Sequence, residues 1–205
     1  ITEGLVGSEM CIRDRARPMR SNDDRVDKSI TFQPVNIAVM TVSDTRTTGD
    51  DRSGDLLASR VIEDGHVLAD RAIITDDQPK IVARLEEWID DPAVDAVVAT
   101  GGTGLTGRDV TPEAFRAVFD KEIEGFGELF RYLSFQKIGT STVQSRALAG
   151  VAGGTYLFAL PGSPSGCRDG WDEILRYQLD IRHKPCNFVE IMPRLTESVT
   201  QRRRG

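Results

Sequence analysis

The residues most able to do chemistry lie in one loop, Gly101-Gly102-Thr103-Gly104-Leu105-Thr106-Gly107, which follows the apolar run Val94-Asp95-Ala96-Val97-Val98-Ala99-Thr100. Glycine permits positive φ and close backbone approach, so successive N–H groups can converge on an anion. Such a loop is a phosphate cradle. The plainer reading is a glycine-rich turn that joins strand to helix, but Thr100, Thr103, Thr106, Arg108 and Asp109 concentrate hydroxyls and charge where a plain turn needs neither. Two familiar phosphate motifs do not fit. Residues 102–107 formally read G-x-G-x-x-G, yet a dinucleotide loop lies in the first βαβ unit and opens directly into its helix, whereas this one follows the third expected strand and continues through Arg108-Asp109-Val110. Gly102 and Gly107 also stand at P-loop spacing, but Arg108-Asp109 occupies the place of the required Lys and Ser or Thr.

Other polar groups sit at expected strand ends. Ser43 and Asp44 follow the first strand, where they can reach a phosphate or simply cap the turn. Gly162-Ser163, after Pro161, can offer N–H groups through a helix N-terminus, or form an ordinary Pro-Gly turn. Arg108 can pair with phosphate or with a neighbouring Asp. Asp76 lies in Thr75-Asp76-Asp77-Gln78-Pro79, where helix N-capping competes with any ligand role. The competing role for Asp109 is to accept N–H bonds from residues near 111 and 112, weakened because Pro112 has no N–H. Cys167 reads as a small buried apolar residue rather than a nucleophile.

The elements that must position these groups alternate from residue 35 onward, the mark of an α/β layer fold. Strands are expected at 35–42, 66–75 and 94–100, with two more within 147–160 around Gly153-Gly154. Helices are expected from Ser53 as N-cap to about residue 64, from Pro79 to before Pro92, from Thr111 as N-cap through 119, over 126–136, from Pro164 to about 181, and after Pro185. Residues 1–33 mix Arg and Asp without a sustained apolar period and are expected to lie outside the fold, as a disordered or extraneous tail; 1–15 also reads as translated adapter sequence. The domain spans 34–196, and 197–205 is a basic tail ending in Arg202-Arg203-Arg204, read as solvated rather than phosphate-binding.

The whole chain has 205 residues, 39% hydrophobic and 28% charged, with a formal charge of -6, which is the composition of a globular protein. No stretch approaches the apolar length of a membrane helix, and the acidic balance argues against a general nucleic-acid binder. Cys11, Cys167 and Cys186 form no C-x-x-C pair, and only His66 and His183 could supplement them, so neither a structural zinc nor a disulfide framework is expected. No signal peptide is visible, and a cytoplasmic protein with free thiols is the expectation.

Taken in order, Thr41-Val42-Ser43-Asp44, Thr100-Gly101-Gly102-Thr103-Gly104 with Arg108-Asp109-Val110-Thr111-Pro112-Glu113-Ala114, Gly125-Phe126-Gly127-Glu128, Ser145-Arg146-Ala147 and Leu160-Pro161-Gly162-Ser163-Pro164 resemble the MoaB/MogA molybdenum-cofactor biosynthesis family over roughly residues 35–195. Phe130-Arg131-Tyr132-Leu133-Ser134-Phe135 and Ile138-Gly139-Thr140-Ser141 resemble its MoaB branch. The resemblance implies a three-layer α/β/α sandwich with a mostly parallel central sheet that binds molybdopterin. It further implies magnesium- and ATP-dependent transfer of AMP to the pterin's phosphate, with pyrophosphate released. Asp76 and Asp109 match the family's two acids and are implied to be catalytic as magnesium ligands, while Ser43, Asp44, 100–104, Arg108 and 161–163 would contact substrate or phosphate. Two alternatives of other classes remain: a molybdopterin carrier without transferase activity, and a CinA-like nucleotide enzyme on the same domain. A homo-oligomer, trimer or hexamer, and contacts with other proteins of the pathway are also implied.

Overall fold

The computed structural model describes residues 21–197. Among them, six strands form one sheet in the order β2-β1-β3-β6-β5-β4: β1 (Asn36–Val42), β2 (Val67–Ile74), β3 (Ala96–Thr100), β4 (Lys121–Glu122), β5 (Leu148–Ala152) and β6 (Thr155–Leu160). β2, β1, β3 and β6 are mutually parallel, and β5 runs antiparallel to both β6 and β4. β4 is too short and too polar to have been visible as a strand in the sequence.

The strands are apolar at consecutive positions because both faces of the sheet are covered. Ile37 and Val39 of β1, Ala96 and Val98 of β3, and Tyr156, Phe158 and Leu160 of β6 face one core. Leu57 and Val61 of α1 (Arg52–Glu63) and Phe126 and Phe130 of α4 (Glu124–Ile138) close it, together with Cys167 of α5 (Pro164–Gly170). Ala38 and Met40, Val97 and Ala99, and Leu157 and Ala159 face the opposite core. That side is closed by Ile81, Leu85 and Trp88 of α2 (Gln78–Ile89) and by Phe115 of α3 (Thr111–Val118). The three-layer α/β/α sandwich is thus present, its pleat alternating between two helical layers.

Local chemistry moves several expected boundaries. Asp51, not Ser53, caps α1, its side chain accepting from the Gly54 amide. Val110, not Thr111, is the N-cap of α3; Thr111 is its first residue, and its hydroxyl donates instead to the Gly101 carbonyl at 2.9 Å. The long helix after Pro164 loosens at Trp171–Leu175 into a π-helical turn and resumes only as α6 (Arg176–Gln178), ending short of residue 181. Beyond Pro185 a single turn, α7 (Phe188–Ile191), forms. No helix among the described residues is long and apolar enough to cross a membrane.

The expected boundary at residue 33 fails for the described part of the N-terminal segment. Val26 bridges His183, the Asp27 amide donates to the Arg182 carbonyl at 2.9 Å, and the Lys184 amide donates to the Arg25 carbonyl at 2.9 Å. The Phe32 ring lies tilted, 5.2 Å from the His66 ring, and close to Gly65, where a Cβ would come within 3.2 Å of it. One aromatic ring and a few backbone bonds suffice to dock a segment that has no apolar period. The readings of 1–15 and of Arg202-Arg203-Arg204 lie outside the described residues. A chain starting at Pro34 is expected to melt roughly 4–8 °C below one starting at Ser21, reflecting a loss of about 2 kcal/mol. Calorimetry of the two truncations checks this, and equal melting temperatures would contradict the docking.

Candidate functional site

The strand order reverses direction between β1 and β3, since β2 lies on one side of β1 and β3 on the other. Loops at the carboxyl ends of these strands therefore splay apart and leave a crevice between them. Into it come the loop after β1 with Ser43 and Asp44, the loop after β2 with Asp76, the glycine loop after β3, and the turn after β6 with Pro161, Gly162 and Ser163.

The glycine loop is pressed against its neighbours. Gly101 has φ of 100° and Gly102 of 61°. A Cβ on Gly101 would lie 2.2 Å from the Val42 carbonyl oxygen, and one on Gly102 would meet Thr111 Oγ1 at 2.3 Å and Asp76 Oδ1 at 2.9 Å. Both positions therefore exclude a side chain. Thr111 also ties the loop to α3, its amide donating to the Gly102 carbonyl at 3.0 Å. Arg146, reaching over from the segment before β5, donates to the Gly104 carbonyl at 2.7 Å and to the Asp109 carbonyl at 2.6 Å, and pairs with Glu113. The Ser145-Arg146 pair was visible as a motif, but its clamping role needs the fold, because β3 and β5 are remote in sequence.

Asp109 Oδ2 accepts from the Thr106 amide at 2.8 Å and the Thr106 hydroxyl at 2.6 Å. Burial pushes its carboxyl up, but the Thr106 and Gly104 hydrogen bonds and the Arg146 charge outweigh that and hold it below the ordinary value. Asp76 behaves oppositely: burial, with the Asp109 charge beside it, raises its carboxyl. The capping role falls to Asp77, whose side chain accepts from the Lys80 amide, so Asp76 is freed from it. Among the described residues no hydrogen bond reaches the Asp76 carboxylate. Two carboxylates on adjacent loops, one of them without a donor, are a donor set suited to a hard cation that completes its shell with water and ligand phosphates. No group of three or more His, Cys, Asp or Glu among the described residues could hold a metal by itself.

A cleft of about 500 Å³ opens beside the loop. Gly102, Thr103, Gly104 and Asp109 line one wall, and Pro161, Gly162 and Ser163 line another. A third wall, carrying Ser134 and Lys137 of α4 with Ser141 and Gln144 beyond it, had no signal in the sequence beyond the branch resemblance. Other expected contacts are turned to structural work. Ser43 Oγ accepts from the Thr45 and Arg46 amides, both at 3.3 Å. Thr100 is fully buried and donates to the Pro161 carbonyl at 2.8 Å. The Asp44 carboxylate pairs with Arg108 and accepts from the Asp76 amide at 3.1 Å, linking the loops after β1, β2 and β3. Ser163 caps α5, accepting from the Gly166 amide at 3.1 Å. Cys167 is buried against Thr100, and burial pushes its thiol up to about 11, which rules out a thiolate nucleophile near neutral pH.

Behind the cleft, unassigned from sequence, lies the fully buried Asp51. It accepts from Thr41 Oγ1 at 2.7 Å and from Arg71 Nη2 at 2.8 Å, with Arg46 beside it. Arg46 Nη2 and Ser53 Oγ in turn donate to the Gly162 carbonyl at 3.1 and 2.8 Å. This fixes the turn after β6 to the start of α1.

Residues 38–181 match the family model described as a probable molybdopterin binding domain. The chain is 51% identical over 160 residues to molybdenum cofactor biosynthesis protein B of Escherichia coli (strain K12), covering 78% of this chain and 94% of that protein. A crystal structure of a molybdenum cofactor biosynthesis protein B superposes with a TM-score of 0.69 at 36% identity, covering 86% of this chain and 100% of the other. The tungsten cofactor synthesizing protein MoaB from Pyrococcus furiosus superposes with a TM-score of 0.64 at 36% identity, covering 70% and 91%. With the glycine loop, the paired acids and the cleft all inside the matched region, the chain belongs to the molybdenum cofactor biosynthesis protein B family.

Proposed function

We propose that this protein binds molybdopterin in the cleft beside the glycine loop and transfers AMP from ATP to the pterin's phosphate, releasing pyrophosphate. In this reaction a phosphate oxygen of molybdopterin attacks the α-phosphorus of ATP, and the bond from that phosphorus to the pyrophosphate oxygen breaks. No protein nucleophile is required, so the protein's task is to align two anions and offset their repulsion. The observation that carries the reading is the pairing of Asp76 and Asp109 at the mouth of the glycine loop, with the Asp76 carboxylate lacking any donor among the described residues. These two would hold magnesium, which when bound neutralises phosphate charge and polarises the reacting phosphorus. Gly102 and Thr103 bring backbone to the cleft wall, the Gly104 amide being engaged by Asp109, and Arg146 keeps that backbone in place. Gly162 and Ser163 close the opposite wall, while Arg108, three-quarters exposed in its pair with Asp44, can turn toward phosphate.

Self-association belongs to the same reading. Leu129, Tyr132, Phe135 and Ile138 project from α4 with between 44% and 59% exposure, a stripe of large apolar groups suited to a second copy of the chain. Light scattering is expected to give a trimer or hexamer, and Tyr132→Asp to shift it toward monomer; a monomeric wild type would remove this part of the reading.

Two kinetic outcomes test the site. Asp109→Asn should retain the fold and lower transfer of labelled AMP to molybdopterin by about a hundredfold or more, the several kcal/mol expected of a metal-binding charge. Unchanged turnover, or transfer indifferent to magnesium, would refute the assignment; tight molybdopterin binding without transfer would favour the carrier alternative. Arg146→Gln removes a positive charge that lowers the Asp109 carboxyl, so that carboxyl should protonate at higher pH and the acid limb of the transfer profile should move upward. An unmoved limb would mean that Arg146 does not act through Asp109.

A further inference from the structure

The opposite end of the sheet holds a feature unrelated to the cleft. The Val35 amide, immediately before β1, donates to Nδ1 of His66, immediately before β2, at 3.2 Å. A backbone N–H can only donate, so Nδ1 is unprotonated and the ring carries its hydrogen on Nε2. His66 is 6% exposed, and Nε2 has no hydrogen-bond partner among the described residues. A second proton would therefore have to enter at Nδ1, setting two donors face to face and breaking the bond to Val35.

That bond lies where the N-terminal segment enters the sheet; Val35 itself is buried in the core, and its carbonyl accepts from the Val67 amide at 3.0 Å. Upstream of it, Phe32 rests 5.2 Å from the His66 ring, with the Arg182 guanidinium 4.9 Å from the Phe32 centroid. Farther along, Asp23 accepts from the Tyr177 hydroxyl at 2.9 Å, and Arg25, Val26 and Asp27 pair with residues 182–184. We propose that residues 23–34 form a pH-sensitive strap, docked while His66 is neutral and released when His66 is protonated.

The charges around His66 do not rescue the protonated ring. Asp64, at the end of α1, and Asp180, beyond α6, favour it, but burial outweighs both and holds His66 below its ordinary value. Asp64 already accepts from Trp171 Nε1 at 2.7 Å, and Asp180 is held by Arg182 at 2.8 Å. Asp23, Lys28 and Arg176 line the adjoining cavity of about 470 Å³, adding two cations to one anion. His183 is also buried, with both ring nitrogens unpartnered among the described residues, so it makes no side-chain hydrogen bond to the strap that protonation would break.

The sign follows from linkage. Above about pH 6.5 His66 is neutral in both docked and released forms, and docking is independent of pH. Below it the released strap leaves a histidine that binds a proton, while the docked histidine, with its lowered value, does not. The docking constant then falls by up to about tenfold per pH unit until the docked pKa is reached. Carboxylates titrate near pH 4 when unperturbed, and Asp180 is held lower still, so pH 5–6.5 isolates the histidine contribution.

Hydrogen exchange of the Asp27 and Val35 amides between pH 7.5 and 5, corrected for intrinsic rates, tests this in the full chain. Asn at position 66 can accept from the Val35 amide through its side-chain carbonyl but does not titrate. Wild-type protection should be flat above about pH 6.5 and fall by up to about tenfold per unit below it, His66→Asn should be flat throughout, and His183→Asn should follow the wild type. Flat wild-type protection, persistent pH dependence in His66→Asn, or its disappearance in His183→Asn would each overturn the proposal. If His66→Asn does not fold, the ring titration of His66 in the wild type decides: a midpoint below 6.5 supports the strap, and one at or above 6.5 overturns it.

Discussion

Everything at the carboxyl edge of the sheet depends on one close passage of backbone. Gly101 passes so near the end of β1 that a Cβ would sit 2.2 Å from the Val42 carbonyl oxygen, and a Cβ on Gly162 would lie 3.3 Å from the Gly101 Cα. Three parallel strands, β1, β3 and β6, can deliver their loops to one point only if the chain there is bare of side chains. Hydrogen bonds then lock the passage from beneath, Thr100 to the Pro161 carbonyl and Thr111 to the Gly101 carbonyl.

Charge is distributed with the same economy. Asp51 is fully buried, yet Thr41, Gly54 and Arg71 satisfy it, and its carboxyl is held low despite burial. A buried carboxylate left with one partner missing would cost several kcal/mol, so loss of Arg71 alone is more costly than the pair is worth. Asp109 is likewise settled by Thr106 and by the Arg146 charge. Asp76 alone among these acids has desolvation and a like charge without a compensating donor among the described residues, a state that a bound cation would relieve. The acids that hold the loops are thus neutralised internally, and Asp76 is not.

The two edges of the sheet carry different devices because parallel strands make them different. At the carboxyl edge, strand ends diverge around the reversal in strand order and leave a crevice. At the amino edge, β1 and β2 begin side by side, so Val35 and His66 meet across a single hydrogen bond and the preceding segment is drawn over them. The segment folds back on residues 182–184, in the connection between α6 and α7.

Much of this was local enough to read from the sequence. Apolar runs over 94–100 and 156–160, the glycine loop, the proline starts of α2 and α5, and the family motifs each depend on neighbouring residues, and the alternation of elements implied the layered sheet. Long-range pairing was not legible. Asp51 displaced Ser53 as a cap because its carboxylate also meets Thr41 and Arg71, and Thr111 gave up capping to bond a loop ten residues upstream. The strap at 23–34 showed no period because it is held by the contacts of Phe32 with His66 and Arg182, by the Tyr177 bond to Asp23, and by backbone bonds to residues about 150 positions away, a separation at which sequence pattern carries no signal. The sequence by itself determined the elements and the residue types at their ends, since propensity and periodicity act over a few residues. Only the tertiary structure decided which polar groups those residues would meet, and hence that among the described residues Asp76 would be left without a donor while Asp109 was not, because hydrogen bonding and desolvation depend on what lies across the fold.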